Sequence, residues 1–470
     1  MKQIVHTAFV AVALLVARSP AIANDLADNV AIVGAEVLQV DCACWASAQT
    51  IVLTGNRIAA VGPQDQIAVP QNARRIDASG KYVIPGLWDA HIHSRYEGID
   101  HLRLLIAHGV TATRDLGGPW EHLPELVLWR DEIAAGTRVG PRLWTAGTVL
   151  NNPGSDWSHI TIVHEPQEAR TAVQRLSREG ADFVKVYSDL SPENYYAIID
   201  EAKRLGLQVD GHDPRTIPPL EASKAGQRTI EHAREVALAL VDGEIPELEN
   251  GYTDWVALEG RLSDEKADRL ARIFRENGTW LDPTLHLRRH FIAIGEKSDT
   301  VLASPALRFI PAPYLNEWSR RAEGETSVEK LAQWHANLAV ESEAVRMLSE
   351  RGVPIIAGTD TVKPFFVPGF ALHDELAALV EAGLSTGDAI RAATITPSRM
   401  MGVEDLGLIQ PGFLADLLVL DGDPLANIAE TRNIVVVVAN GRVFDRATLQ
   451  ALKVDLVREA ALWNGEPTGR

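Results

Sequence analysis

Cysteine is nearly missing from these 470 residues: Cys42 and Cys44 are the only two. That scarcity excludes a disulfide-stapled framework and a thiolate metal cluster. A mutual bridge across one intervening residue is strained, so both are expected as small residues of a strand or hairpin. Basic runs are absent too. With 63 acidic against 45 basic residues the net charge is -18, which argues against nucleic acid or another polyanion as partner. No apolar run reaches the ~18 residues that a membrane-spanning helix needs. Low-complexity tracts and short-period repeats are also lacking, which excludes a solenoid or a disordered chain.

The nearest approach to a long apolar run is VHTAFVAVALLVA, and Arg18 and Pro20 close it early. One lysine precedes it, and Ala21, Ile22 and Ala23 end it as an A-x-A site. Residues 1–23 are therefore expected to be a secretory signal peptide, with a periplasmic or secreted destination and no membrane anchor after its removal. Loss of Lys2 and Arg18 would take the net charge to -20.

What remains has a long middle between two similar ends. Residues 24–80 alternate short apolar runs with turn signals, as in VAIVGAEVLQV and TIVLTGNRIAAVG, the pattern of antiparallel hairpins. Residues 403–450 repeat it in LADLLVLDGDP and NIVVVVANGRVF. Neither block buries much surface alone, so both are expected to join as one small composite β-sandwich. Residues 451–470 read as a polar, helical tail. Between the blocks, over 81–402, eight strand candidates alternate with amphipathic helices: VIPGLWDAHIH, VTATRDL, RLWTAG, DFVKVY, LQVDGH, RTIEH, WLDPTL and VPIIAGTD. The expected fold is α/β, a (β/α)8 barrel with reactive groups at the C-terminal strand ends. Two long connections, 233–263 and 286–327, are candidate lids.

The strand ends carry the chemistry. His91 and His93 stand two residues apart and are expected to project from one strand face. Lys185 sits inside an apolar strand, a costly place for an ammonium unless it is paired or chemically changed. His212, His232 and Asp360 each end a later strand. Six such residues at one barrel mouth imply a divalent metal site with a position open to water, hence a hydrolytic centre. Asp360 is the one acid among them and the candidate general base.

These segments, with LHDELAALVEAGLSTGDAIRAATITPSRMMG and PGFLADLLVLDGDPL, are similar to the amidohydrolase superfamily, in particular its imidazolonepropionase-like and prolidase-like branch. The resemblance covers nearly the whole chain after residue 23. It implies a binuclear centre, usually zinc: His91, His93 and Asp360 on the buried ion, His212 and His232 on the exposed one. It also implies that Lys185 bridges the two as a CO2-derived carbamate. A hydroxide shared by the ions would attack a small amide, such as a dipeptide or N-acyl amino acid, with Asp360 carrying the proton to the leaving nitrogen. Ring opening or deamination at a single metal is the alternative, and esters, lactones or carbamates suit the same centre. A barrel that binds metal or ligand without turnover is expected to lack one of these residues, and all are present.

The loop TVLNNPGSDWSHI departs from the prolidase-like pattern, with His159 as a stand-in there. Tyr187, on the strand face of Lys185, is the other substrate-binding candidate. Asp115 is expected to pin its loop, His286 and His373 to lie outside the centre, and Trp120 or Trp157 to line an aromatic wall. Association into a homo-oligomer is compatible with this family resemblance.

Overall fold

Strands β1 (Asn29–Gln39), β2 (Cys44–Thr54), β3 (Arg57–Pro63), β4 (Arg74–Asp77) and β5 (Tyr82–Pro85) open the chain in the computed structural model, which describes residues 29–94, 98–155, 157 and 159–465. The expected signal peptide at 1–23 lies outside the described residues. Next come β6 (Leu87–Ile92), β7 (Val110–Asp115), β8 (Arg142–Thr145), β9 (Val149–Asn151) and β10 (Ile160–Ile162). Then follow β11 (Phe183–Val186), β12 (Gln208–Gly211), β13 (Gln227–Glu231) and β14 (Trp280–Asp282). Strands β15 (Leu417–Leu420), β16 (Ile434–Ala439) and β17 (Arg442–Asp445) return to the beginning.

Both ends of the chain do share one structure, but as a single sheet rather than two half-sheets. Its order is β17-β16-β15-β5-β1-β2-β3 with β4 beside β1, and β15 runs antiparallel on β5 with Leu418 opposite Ile84. Side chains alternate across it as the strand period requires. Val30, Ile32, Ile51, Val83, Leu417 and Val419 form a core on one face, while Leu38, Ile84, Leu418 and Val437 join the large core of the middle segment.

The stretch VIPGLWDAHIH, expected as one strand, is two. Pro85 carries no N–H to continue a ladder, and Gly86 donates to Asp416 O at 2.8 Å. A Cβ on Gly86 would lie 2.1 Å from Thr111 Oγ1, so glycine is required where the chain leaves the terminal sheet. Cys42 and Cys44 are also corrected: they are joined as a disulfide, their Cα atoms 5.3 Å apart. The register that sets Cys44 opposite Gln39 folds residues 40–43 into a tight turn, with Ala43 at φ 48°.

In the middle segment β6, β7 and β8 are parallel neighbours, and β10-β9-β11-β12-β13-β14 form a second parallel run. The eighth expected strand, VPIIAGTD, is irregular. It is nonetheless bonded on both sides: Leu281 N and Ile356 N exchange bonds with Pro354 O and Leu281 O, and Ala90 N and His93 N donate to Ala357 O and Thr361 O. Gly358 allows this closeness, since a Cβ there would lie 2.3 Å from Asp282 Oδ2 and 2.5 Å from His91 Cβ.

The helices follow their sequence signals. Ser191 caps Pro192–Leu205 and Ser263 caps Asp264–Asn277, and each ends on a left-handed glycine, Gly206 and Gly278, which relieves the Cβ strain of that conformation. The long connection 286–327 is largely helical, with Leu285–Gly295, Asp299–Leu302 and Ala312–Ala322. The terminal helix starts earlier than expected, at Arg446, and buries Leu449, Leu452, Leu456 and Ala460. Among the described residues no helix is long and apolar enough to cross a membrane.

One buried histidine of this scaffold sets a pH dependence. His290 bonds Pro364 O at 2.8 Å through Nε2, and burial holds its pKa down at about 4. An unfolded chain protonates the same ring near 6.5, so its contribution is complete above that pH and is lost as pH falls toward 4. In urea titrations His290→Gln, which keeps a donor for Pro364, is expected to lose less stability than the parent between pH 7 and pH 4.5. An equally steep loss would remove His290 from the account.

Candidate metal centre

The six ligand-type residues lie around one cavity. His91, His93, Lys185, His212, His232 and Asp360 line a space of about 210 Å³ together with Trp157, Tyr187 and Lys363. The ring centroids of His91 lie 5.4 Å from those of His93 and 5.3 Å from those of His232, which in turn stands 4.7 Å from His212. Oδ1 of Asp360 is 3.2 Å from His93 Nε2 and 3.6 Å from His91 Nε2.

Each imidazole is fixed through the same nitrogen. His91 Nδ1 meets Glu231 Oε2 at 3.0 Å and His93 Nδ1 meets Gly117 O at 2.6 Å. His212 Nδ1 meets Ser188 Oγ, and His232 Nδ1 meets Thr284 Oγ1, both at 2.7 Å. Holding a ring by Nδ1 sets its orientation and leaves Nε2 as the ligand atom, the arrangement of metal-bound histidines. Nε2 atoms of His91 and His93 and the Asp360 carboxylate are close enough to share one ion. Lys185 is buried and its Nζ has no hydrogen-bond partner among the described residues. The donor set therefore fits divalent metal on two counts: imidazoles pre-oriented with Nε2 to spare, and a buried amine that nothing nearby satisfies.

Backbone conformation assists. His232, Thr284 and Asp360 have φ of 69°, 47° and 59°, in the left-handed region that side chains other than glycine seldom adopt. At His232 the turn ends the strand alternation, so adjacent residues serve one site: Glu231 bonds His91 while His232 lines the cavity.

Burial depresses the pKa of His91, His212 and His232, the last to about 4, so these rings are neutral and could serve as ligands. Burial also lowers Lys185 to about 8 against the opposing pull of Glu231. For Asp360 burial pushes upward, but Lys363, which donates to Oδ1 at 2.8 Å, outweighs it and holds the carboxyl well below its ordinary range.

Beneath the cavity lies a charge network that the motif reading missed. Arg114, fully buried on β7, donates to Ala90 O, Asp210 Oδ2 and Glu231 Oε1 at 2.6, 2.9 and 2.8 Å. Asp282 Oδ2 is 3.4 Å from His91 Nδ1 and 3.6 Å from Arg114. Burial and the neighbouring Glu231 raise the Asp282 pKa well above its usual value. The available signal was a set of charged residues inside otherwise apolar strands.

Asp115 pins its loop as expected, accepting from Ser94 N and Gly117 N at 2.9 Å. Trp157 lines the cavity, 5.4 Å from the rings of His93 and Tyr187. His159 is not among the lining residues; it stands behind Trp157, 6.2 Å from that ring. Trp120 instead packs under Arg175 and donates to Glu179. His286 and His373 lie outside the cavity, His373 between Thr431 and His108 O. The cavity opens into a cleft of about 690 Å³ that shares Tyr187, His212, His232 and Asp360 with it.

Comparison with known proteins agrees with this geometry. Ochratoxinase of Aspergillus niger is 24% identical over 460 residues, covering 84% of this chain and 82% of its own length. Imidazolonepropionase of Anaeromyxobacter dehalogenans is 25% identical over 423 residues, covering 86% and 91%. The solved structure of bottromycin amidohydrolase matches with a TM-score of 0.71 at 26% identity, over 94% of this chain and 93% of that one. The amidohydrolase family itself matches residues 82–444, from β5 to β17, a span that contains every ligand-type residue of the cavity, and the chain is a hydrolase that belongs to this family.

Proposed function

We propose that this protein is an exported metal-dependent hydrolase that cleaves the amide bond of a small substrate such as a dipeptide or an N-acyl amino acid. The observation that carries the reading is the set of four imidazoles anchored by Nδ1 around a cavity that also holds Lys185 and Asp360. Similarity to an ochratoxinase and an amidohydrolase supports amide chemistry. Export rests on residues 1–23. In this reading β6, β7, β8, β11, β12, β13, β14 and the segment 354–361 make the eight-staved barrel, and the terminal sheet folds over its own core as the small sandwich.

His91, His93 and Asp360 would hold one ion and His212 and His232 a second, both donor sets that suit zinc. Lys185 would join them as a carbamate: its Nζ adds to CO2 and loses a proton, which turns a buried, unsatisfied amine into an anionic ligand. When bound, the ions supply a water acidified toward neutral pH and a Lewis acid for the carbonyl. Asp360 takes the proton as water adds to the carbonyl carbon, then returns it to the nitrogen as the C–N bond breaks. Lys363 keeps that carboxylate ionised beforehand. Tyr187, 4.2 Å from the His212 ring, stands where cavity meets cleft and positions the substrate carbonyl or carboxylate, with Trp157 behind it excluding water.

Ring opening at a single metal is the second reading, favoured by the imidazolonepropionase likeness. Metal analysis combined with a panel of matched amides and esters separates the two. About two ions per chain, the stoichiometry of binuclear hydrolases, and turnover of amides are expected. Lys185→Ala is expected to retain about one ion and regain part of its activity with short carboxylic acids. One ion in the parent, or turnover of esters alone, would overturn the proposal.

A further inference from the structure

The cleft above the cavity does not end at the size of a dipeptide. It meets a second chamber of about 760 Å³, and the two share Arg234, Tyr252 and Arg288. A pocket for one drug-sized ligand spans about 300–1,000 Å³, so either space alone would take such a molecule. The outer chamber is walled by Leu248, Tyr252, Trp255 and Trp334. Apolar side chains stand exposed around it: Tyr252 at 73% and, on neighbouring turns, Val256 at 47% and Val328 at 78%.

The junction presents two guanidiniums, each steadied by a carboxylate: Arg234 by Glu235 and Arg288 by Glu341. Among the described residues Arg288 makes one hydrogen bond, Nη2 to Glu341 Oε1 at 3.2 Å, and its buried Nε has no partner. Most of its fork of donors is therefore uncommitted. Glu341, buried and also bonded by Asn337 Nδ2 at 2.9 Å, holds the guanidinium from behind. Arg234 is turned by Glu235 and Thr253 and lies 5.8 Å over the Trp255 ring. Two guanidiniums held in place at a neck suit a carboxylate, which they can bind by paired hydrogen bonds.

We infer that the enzyme binds an extended substrate, with an acidic group held at the Arg234–Arg288 neck and an aromatic or large apolar group in the chamber beyond. This deepens the amide-hydrolase reading and rests on it only for the reaction at the metal end.

Calorimetric titration of the metal-loaded Asp360→Asn protein with three peptide amides tests it without turnover. Ala-Asp-Phe-NH2 supplies both groups, Ala-Asn-Phe-NH2 lacks the charge and Ala-Asp-NH2 lacks the ring. The first is expected to bind at least about tenfold more tightly than either other, as one charged hydrogen bond or one buried ring contributes. Adding Arg288→Met is expected to abolish the preference for Asp over Asn, and adding Trp334→Ala the preference for the ring. Equal affinities, or preferences that survive these substitutions, would overturn the inference. Parallel incubation of the unsubstituted enzyme with the same peptides reads the chemistry separately: selective binding without hydrolysis would count against amide cleavage and leave the subsite standing.

Discussion

Asp360→Asn is expected to lower turnover by about 10² to 10⁴, the usual contribution of a positioned general base, with metal content and melting temperature close to the parent's. Asparagine has nearly the shape of aspartate, so Lys363 and His93 keep an oxygen to approach. What disappears is the ability to receive a proton. The geometry makes that ability specific to this side chain. Its Oδ1 faces His91 and His93 on one side and Lys363 on the other, and the Lys363 ammonium holds it ionised although it is buried. Rates with a matched amide, taken alongside metal analysis of the same preparation, check the expectation. Turnover within about threefold of the parent would remove Asp360 as the base.

Much of this site was legible because ligands must end strands. His91, His93, His212, His232 and Asp360 are read from short apolar runs that end in polar residues, Lys185 from its place inside such a run, and all six line one cavity. The same logic misjudged VPIIAGTD. Its apolar run indicates a buried stave, but the ladder there is irregular because Gly358 must pass between Asp282 and His91. VIPGLWDAHIH likewise conceals a change of sheet at Gly86, where neither hydrophobicity nor period changes. His159 and Trp157 show the limit in loops: the order of residues in TVLNNPGSDWSHI does not say which ring faces inward. The cysteines were misread because spacing alone carries no information on how tightly residues 40–43 turn. Arg114, Glu231 and Asp282 were missed for a different reason. Their significance is mutual, and partners more than a hundred residues apart are joined only when the strands align.

That network carries the largest expected effect on stability. Arg114→Met should destabilise the fold by about 3–5 kcal/mol, because it leaves Glu231 charged and fully buried beside His91 with its cation gone. For a chain of this size that is a melting temperature lower by roughly 3–5 °C. Asp210 suffers less, since Arg228 also reaches it at 2.8 Å. Metal affinity is expected to fall about 10- to 100-fold as well, because Glu231 is the partner that orients His91 through Nδ1 and a loosened partner weakens the ligand. Arg114→Lys keeps the charge but cannot span Asp210 and Glu231 at once, so it should fall between. The decisive comparison is the double substitution Arg114→Met with Glu231→Gln. Removing both members of a buried pair costs less than removing one, so the double variant should melt above Arg114→Met while still binding metal poorly, its His91 lacking an anionic partner. If instead it melted lower than either single variant, Arg114 would be a packing element and the orientation of His91 would have to come from Asp282.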